Sequence, residues 1–322
     1  MAEASKGGHD QPMAKTQAQL PKLFFDHPFP DAYADLITDR AVVVGSDDRD
    51  MGDADGVIAG ARRAWDASTF ALGPKLRVIS RVGIGYDNVN VADATAAGVV
   101  VCNAPDAPTV STAEHSIALM MAVGRGIESQ QARARAGLPG EPIGSGLEFD
   151  GQTLGLVGFG RIARRVAAVG RALGMRVVAH DPFVPKATID GVALVDLAEL
   201  LRESDVVSLH APATADTRHL INAATLAQMK RGVLIVNCAR GALIDQQALI
   251  EALNSGQVRG AGLDVTDPEP LPVAHPLLTH PNVVVTPHVA SSTGAGRRRL
   301  YEHTIDNAVN VLAGRPATIV HS

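Results

Sequence analysis

The chain has 322 residues, 46% of them hydrophobic and 20% charged, with a formal net charge of −5. That length supports two domains with separate cores, and the charge provides no global basic field to attract nucleic acid or an anionic membrane. The two cysteines, Cys102 and Cys238, exclude a disulfide framework and a multi-cysteine metal site; with no apolar run as long as a membrane span or a signal-peptide core, a cytoplasmic location is expected.

Residues 1–19 are polar, small and aperiodic, and are expected to form a disordered tail. Short β-rich runs follow at 22–25, 42–45, 56–59, 77–80 and 99–102, alternating with helical or loop stretches in an α/β pattern. After a proline-rich turn over 103–108, Ser111 or Thr112 is placed to cap an apolar helix that runs to Gly126. The stretch 137–151, rich in glycine and proline, reads as a loop. An apolar run at 153–157 then leads into Gly158, Phe159, Gly160, Arg161, Ile162 and Ala163, where a helix opens whose apolar positions are Ile162, Val166, Val169 and Leu173. The next strand, 176–180, ends on Asp181. Further strands are expected at 192–195, 206–209, 233–237, 260–265 and 283–286, with helices at 197–201, 223–229 and 246–254. Asp245 should cap the last of these and Gly256 end it, and a final helix spans 294–313.

The segment from Gly158 carries the first functional reading. Gly158 permits a tight turn out of the strand, Gly160 removes a side chain so that backbone N–H groups reach a pyrophosphate at the positive end of the helix, and Ala163 lets helix and strand pack closely. Such a motif alone also describes a glycine-rich turn; the strand, helix, second strand and acid about twenty residues on decide for a dinucleotide. Asp181 can accept from both ribose hydroxyls and repels a 2′-phosphate, while Pro182 and Phe183 bring no arginine, so NAD is expected over NADP. Because this segment lies midway along the chain, an α/β domain must precede it, to which the final helix can return. The expected division is 20–104 with 292–322 against 105–291, with substrate in a cleft between the two.

Three polar residues stand near strand ends, where ligands bind in such folds: Arg240, Glu269 and His288. Singly, each has a plain explanation as a surface ion pair, a solvated acid or a structural histidine. Together they suit one task. An imidazole transfers protons near neutral pH, a carboxylate orients it and favours its charged form, and a guanidinium holds an acidic substrate. That is a hydride-transfer site for a 2-oxo or 2-hydroxy acid.

The chain also holds, in order, Arg81-Val82-Gly83-Ile84-Gly85-Tyr86-Asp87-Asn88-Val89, Ala113-Glu114-His115, the Gly158 segment with Asp181, and His210-Ala211-Pro212. Asn237-Cys238-Ala239-Arg240-Gly241, Gly262-Leu263-Asp264-Val265 with Glu269-Pro270, and Thr286-Pro287-His288 complete the series. On these motifs the region 77–313 resembles the D-isomer-specific 2-hydroxyacid dehydrogenases. The resemblance implies a doubly wound parallel Rossmann domain inserted in a smaller, discontinuous flavodoxin-like α/β substrate domain, with NAD as cofactor and a homodimer formed through the nucleotide domain. It implies His288 as acid/base, Glu269 as its partner and Arg240 as anchor of the substrate carboxylate and carbonyl oxygen. Gly158, Gly160, Arg161 and Ile162 would meet the pyrophosphate, and Ala211, Cys238 and Ala239 the adenosine and ribose side. Asp264 would meet the carboxamide and Ile84 or Thr112 the nicotinamide end, which Arg240 and His288 also face. Backbone N–H groups of Val82 and Gly83 would hold the substrate carboxylate, flanked by Arg81 and Ile84.

Departures from the family pattern narrow the substrate. Val57-Ile58-Ala59-Gly60-Ala61 lacks the arginine that many phosphoglycerate dehydrogenases place after the third strand, and no regulatory domain follows Ala313. Ile84 stands where phosphite dehydrogenases have lysine, and Leu138 where some members have an aromatic residue. Glyoxylate, hydroxypyruvate or a related small 2-oxo acid is therefore expected, with an NAD-sensing corepressor of the same fold as the alternative.

Overall fold

The computed structural model describes residues 20–140, 146–185 and 187–320. The tail expected over 1–19 and part of the expected loop, 141–145, lie outside the described residues. The chain divides into two compact units, residues 1–107 with 298–322 and residues 108–297, so the dividing lines fall three and six residues beyond those expected. No helix among the described residues is long and apolar enough to cross a membrane.

In the first unit five parallel strands, β1 (Lys22–Phe25), β2 (Val42–Gly45), β3 (Gly56–Ala59), β4 (Val78–Arg81) and β5 (Val100–Cys102), lie in the order β2-β1-β3-β4-β5. This is the flavodoxin-like order, which reverses between β1 and β3. Strands covered on both faces read as continuous apolar runs, and β3 and β4 are buried at every position. One face packs Phe24, Met51, Val57, Trp65 and Ile79; the other packs Leu23, Phe25, Ile58 and Val78 under Tyr301, Ile305 and Ala308 of the final helix, Gly294–Leu312.

The second unit carries β6 (Thr153–Val157), β7 (Arg176–His180), β8 (Thr188–Ile189), β9 (Val192–Leu194), β10 (Val206–Leu209), β11 (Val233–Asn237), β12 (Val258–Leu263) and β13 (Val283–Val285). Their order is β13-β12-β11-β10-β6-β7-β9-β8, doubly wound, with the reversal between β6 and β10. All are parallel except β8, which pairs antiparallel with β9 and which the sequence reading missed. Asp190 and Gly191, at φ 53° and 75°, close that hairpin as a two-residue turn. Positive φ at both positions is the type I′ geometry that Asp-Gly favours, and the dipeptide was the signal.

Two helix expectations need correction. The helix expected to be capped by Ser111 or Thr112 runs Thr109–Gly124, follows Pro108 and has no side-chain cap. Ser111 and Thr112 instead lie buried in its first turn, with Ser111 Oγ 2.8 Å from Thr293 Oγ1. The helix after the glycine motif, Arg161–Ala172, buries Ala163, Val166, Ala167 and Gly170, whereas Val169 is 41% exposed. Small residues form that face because the helix lies close on β6: a Cβ on Gly170 would come within 2.7 Å of Leu154 Cδ2. Asp245 caps Gln246–Asn254 as expected, accepting from the N–H groups of Gln247 and Ala248.

Candidate functional site

The Gly158 turn sits where the second sheet reverses order. Gly158 has φ 90°, and a Cβ there would lie 2.8 Å from the carbonyl of His210 at the end of β10, so neither the conformation nor the space admits a side chain. Gly160, at the start of the helix, has nothing within 4 Å of where its Cβ would stand. The positive helix end is therefore open to a ligand, as a pyrophosphate requires. Asp181 is fixed at the tip of β7: Oδ2 accepts from Phe159 N–H and Oδ1 from Phe183 N–H, both at 2.9 Å. Each oxygen keeps a lone pair for a ribose hydroxyl. These residues fit a dinucleotide. Arg161 and Ile162 open the helix at this turn, and Ala211 directly follows His210.

A second group gathers at the carboxyl ends of β11, β12 and β13. Asn237, buried at the end of β11, accepts from Ala239 N–H at 2.9 Å and donates to Arg240 O at 2.8 Å, which shapes the turn through Cys238 and Ala239. Asp264 is 1% exposed. Its Oδ1 accepts from Thr286 Oγ1 at 2.5 Å and Val289 N–H at 2.9 Å, and its Oδ2 from Ala290 N–H at 2.9 Å. One buried carboxylate thus folds the loop that carries His288, leaving a single Oδ2 lone pair for the carboxamide contact expected of it. His115 joins the same network, with Nε2 2.9 Å from Thr286 Oγ1 and 3.4 Å from Asp264 Oδ1.

On this loop His288 adopts φ 54° and lays Nδ1 2.6 Å from Glu269 Oε1, with the two side chains 43% and 37% exposed. Burial acts to raise the Glu269 pKa, but the hydrogen bond and charge of His288, the Thr266 N–H and the charge of Arg240 outweigh it and hold the acid below its ordinary value. Arg240, Glu269 and His288 are therefore brought together. Cys238, half-buried, has its thiol pushed up to about 12 by burial, against a hydrogen bond from Ser116, so it stays protonated. Burial also pushes the His210 pKa down to about 4, and its Nε2 lies 3.0 Å from Ser208 Oγ. Among the described residues no group of three or more His, Cys, Asp or Glu side chains could hold a metal ion.

The first-unit loop departs from expectation in its donors. Val82 N–H donates to Ala59 O at 2.8 Å and Gly83 N–H to Arg81 O at 2.9 Å, so neither is free for a substrate carboxylate. Arg81 is buried and turned inward, with Nε donating to Asn88 Oδ1 at 3.2 Å and Nη1 to Val82 O. The N–H groups of Ile84 and Gly85, in contrast, have no acceptor among the described residues. The unpaired amides thus lie two residues beyond the expected Val82 and Gly83, because which amide a turn leaves unpaired depends on backbone geometry such as Gly83 at φ 149°. Sequence reasoning also passed over Asn237, Thr286 and His115 as site residues, although all three lie in the matched motifs.

Residues 117–290 match the model of the NAD binding domain of D-isomer specific 2-hydroxyacid dehydrogenases. The chain is 40% identical over 268 residues to a D-3-phosphoglycerate dehydrogenase of Methanocaldococcus jannaschii, a match covering 82% of this chain and 51% of that protein. To a glyoxylate reductase of Korarchaeum cryptofilum it is 38% identical over 277 residues, 84% of this chain and 83% of the relative. A crystal structure of a Thermus thermophilus protein matches with a TM-score of 0.86 at 38% identity, over 93% of this chain and 100% of that one. The chain spans about half the length of the phosphoglycerate dehydrogenases it matches.

Proposed function

Since the chain belongs to the D-isomer specific 2-hydroxyacid dehydrogenases, we propose that it interconverts a small 2-oxo acid and its D-2-hydroxy acid with NAD as cofactor. The observation that carries this reading is the 2.6 Å His288–Glu269 pair beside Arg240 at the strand ends. Bound NADH supplies the hydride. The chain's own residues do the rest. The turn from Gly158 to Ile162 takes the pyrophosphate and Asp181 the ribose; Ala211, Cys238 and Ala239 line the adenosine and ribose side, and Thr112 and Asp264 the nicotinamide end. Glu269 occupies Nδ1 of His288, which leaves Nε2 to give a proton to the carbonyl oxygen in reduction and to take it from the hydroxyl in oxidation. Arg240 neutralises the carboxylate and polarises the carbonyl. In the first unit the N–H groups of Ile84 and Gly85 hold the carboxylate, and Arg81 ties down Val82 O at the start of their loop.

Glyoxylate or hydroxypyruvate is the proposed substrate, supported by the absence of arginine from 57–61, the nearest after β3 being Arg62, and by the likeness to a glyoxylate reductase over most of that protein's length. Phosphoglycerate is the second reading, favoured by 40% identity to a phosphoglycerate dehydrogenase. A panel of 2-oxo acids with NADH, for wild type and His288→Asn, tests both. Turnover of glyoxylate that needs His288 supports the first; preference for the phosphorylated acid supports the second. Tight NADH binding with no turnover of any acid would return the chain to the corepressor class. A cytoplasmic homodimer formed through the second unit belongs to the same proposal, and sedimentation equilibrium in solution reads its mass.

A further inference from the structure

At the carboxyl ends of β1 and β3, where the first sheet reverses order, a histidine is clamped between an acid and a phenol. His27 Nδ1 lies 2.7 Å from Asp26 Oδ1, and Nε2 lies 2.9 Å from Tyr301 Oη. Because a phenol both donates and accepts, His27 keeps both partners whether neutral or protonated. The Asp26 side chain is 2% exposed and takes two more donors, Gly60 N–H at 2.7 Å and the Trp65 indole N–H at 3.3 Å. Burial acts to raise its pKa, but His27, the Gly60 N–H and the Trp65 indole together hold it below the ordinary value.

Gly60 is gripped from its other side as well. Asn88 Nδ2 donates to Gly60 O at 3.1 Å and to Arg63 O at 2.7 Å, and Asn88 Oδ1 accepts from Arg81 Nε at 3.2 Å. A Cβ on Gly60 would press to 3.2 Å from Asp26 Oδ1 and 3.3 Å from His27 Nδ1, so the glycine closes the clamp without slack. Hydrogen bonds therefore run unbroken from Tyr301 through His27, Asp26, Gly60, Asn88 and Arg81 to Val82, two residues before Ile84, the first amide of this loop without an acceptor among the described residues. A buried ionised carboxylate is costly unless every donor around it is fixed. This one fixes the base of the loop.

We propose that Asp26 and Asn88 are positioning residues that aim the Ile84 and Gly85 N–H groups at the substrate carboxylate, acting through Gly60 and Arg81. The inference rests on the assignment of that loop to the carboxylate.

The chain's single tryptophan, Trp65, touches the clamp and reports on it. The test uses the full chain as wild type, Asp26→Asn, Asp26→Ala, Asn88→Ala and Tyr301→Phe. Two readouts are taken: steady-state kinetics with glyoxylate and NADH, and Trp65 emission titrated with oxamate, a 2-oxo acid analogue that is not reduced. Asp26→Asn and Asn88→Ala should raise the glyoxylate KM and the oxamate Kd about tenfold, the loss expected for one charge-assisted hydrogen bond. In both variants kcat and the NADH KM should stay within about twofold, because the cofactor and proton groups lie on other elements. Asp26→Ala should exceed Asp26→Asn, which keeps an acceptor for Gly60 N–H, and Tyr301→Phe should show the smallest rise. Unchanged glyoxylate KM and oxamate Kd in Asp26→Asn and Asn88→Ala would overturn the proposal. So would parallel losses in kcat, NADH KM and thermal midpoint, which mark a merely structural role, or wild-type Trp65 emission indifferent to oxamate. Should Asp26 variants fail to fold, Asn88→Ala and Tyr301→Phe decide by the same criteria. A wild type inert to every 2-oxo acid would instead sink the functional reading, while the oxamate titration still judges the clamp.

Discussion

A carboxylate bound to one nitrogen of an imidazole decides which nitrogen is left for chemistry, and in this chain that carboxylate is Glu269. Removing its charge in Glu269→Gln should lower kcat about 10²-fold, and His288→Asn about 10²-fold or more, both read as NADH oxidation with glyoxylate. The pH dependence follows from sign. The folded pKa of Glu269 lies below its ordinary value of 4.5, so its carboxylate is fully charged above that value, and the stability that this charge contributes is lost as pH falls through the lower, folded one. His210 acts on stability in the same direction. Its pKa is about 4 folded against 6.5 unfolded, so only the unfolded chain takes up the proton between those values, and stability should fall as pH drops across that window. The loss reaches about 3 kcal/mol, and urea unfolding of His210→Asn should show a flatter pH profile there. Arg240, Glu269 and His288 were legible as a candidate group because the three residue types together suit one chemistry near strand ends, although singly each has a plainer use. That the Ile84 and Gly85 N–H groups find no acceptor among the described residues was not legible, since pairing of N–H groups depends on turn geometry and leaves no trace in residue identity.

Strands and glycine turns were the most legible elements. Buried parallel strands are unbroken apolar runs, and β6, β7, β10 and β11 lie where those runs stand. The helix Arg161–Ala172 was placed correctly but rotated, because the reading counted large apolar residues while close contact with β6 selects Ala163, Ala167 and Gly170. Short elements escaped: β8 has two residues, too few for alternation to show. The turn after β6 gives a sharp prediction. In Gly158→Ala the new Cβ meets the His210 carbonyl at 2.8 Å with φ at 90°, which should cost about 1–3 kcal/mol. The shift of the turn should also raise the NADH KM. Thermal unfolding and steady-state kinetics on one preparation check both.

For the molecule as a whole, the mid-chain position of the nucleotide motif already implied a split first domain, and two compact units are found. The second unit is one uninterrupted segment with its own sheet and two apolar clusters. Residues 108–297 expressed alone should therefore unfold cooperatively and enhance the fluorescence of NADH on binding it, while turning over no substrate. Differential scanning calorimetry and NADH fluorescence test it. The first unit is built differently, since Tyr301, Ile305 and Ala308 cover one face of a sheet whose strands lie between Lys22 and Cys102. Synthesis delivers these parts in the wrong order. When β1 to β5 leave the ribosome, the residues that will seal Leu23, Phe25, Ile58 and Val78 are almost two hundred positions from being made, roughly ten to forty seconds at the usual rate of elongation. During that interval the nascent chain shows an uncovered apolar face, the kind of surface that holding chaperones occupy. The part of the protein translated first is the last able to close.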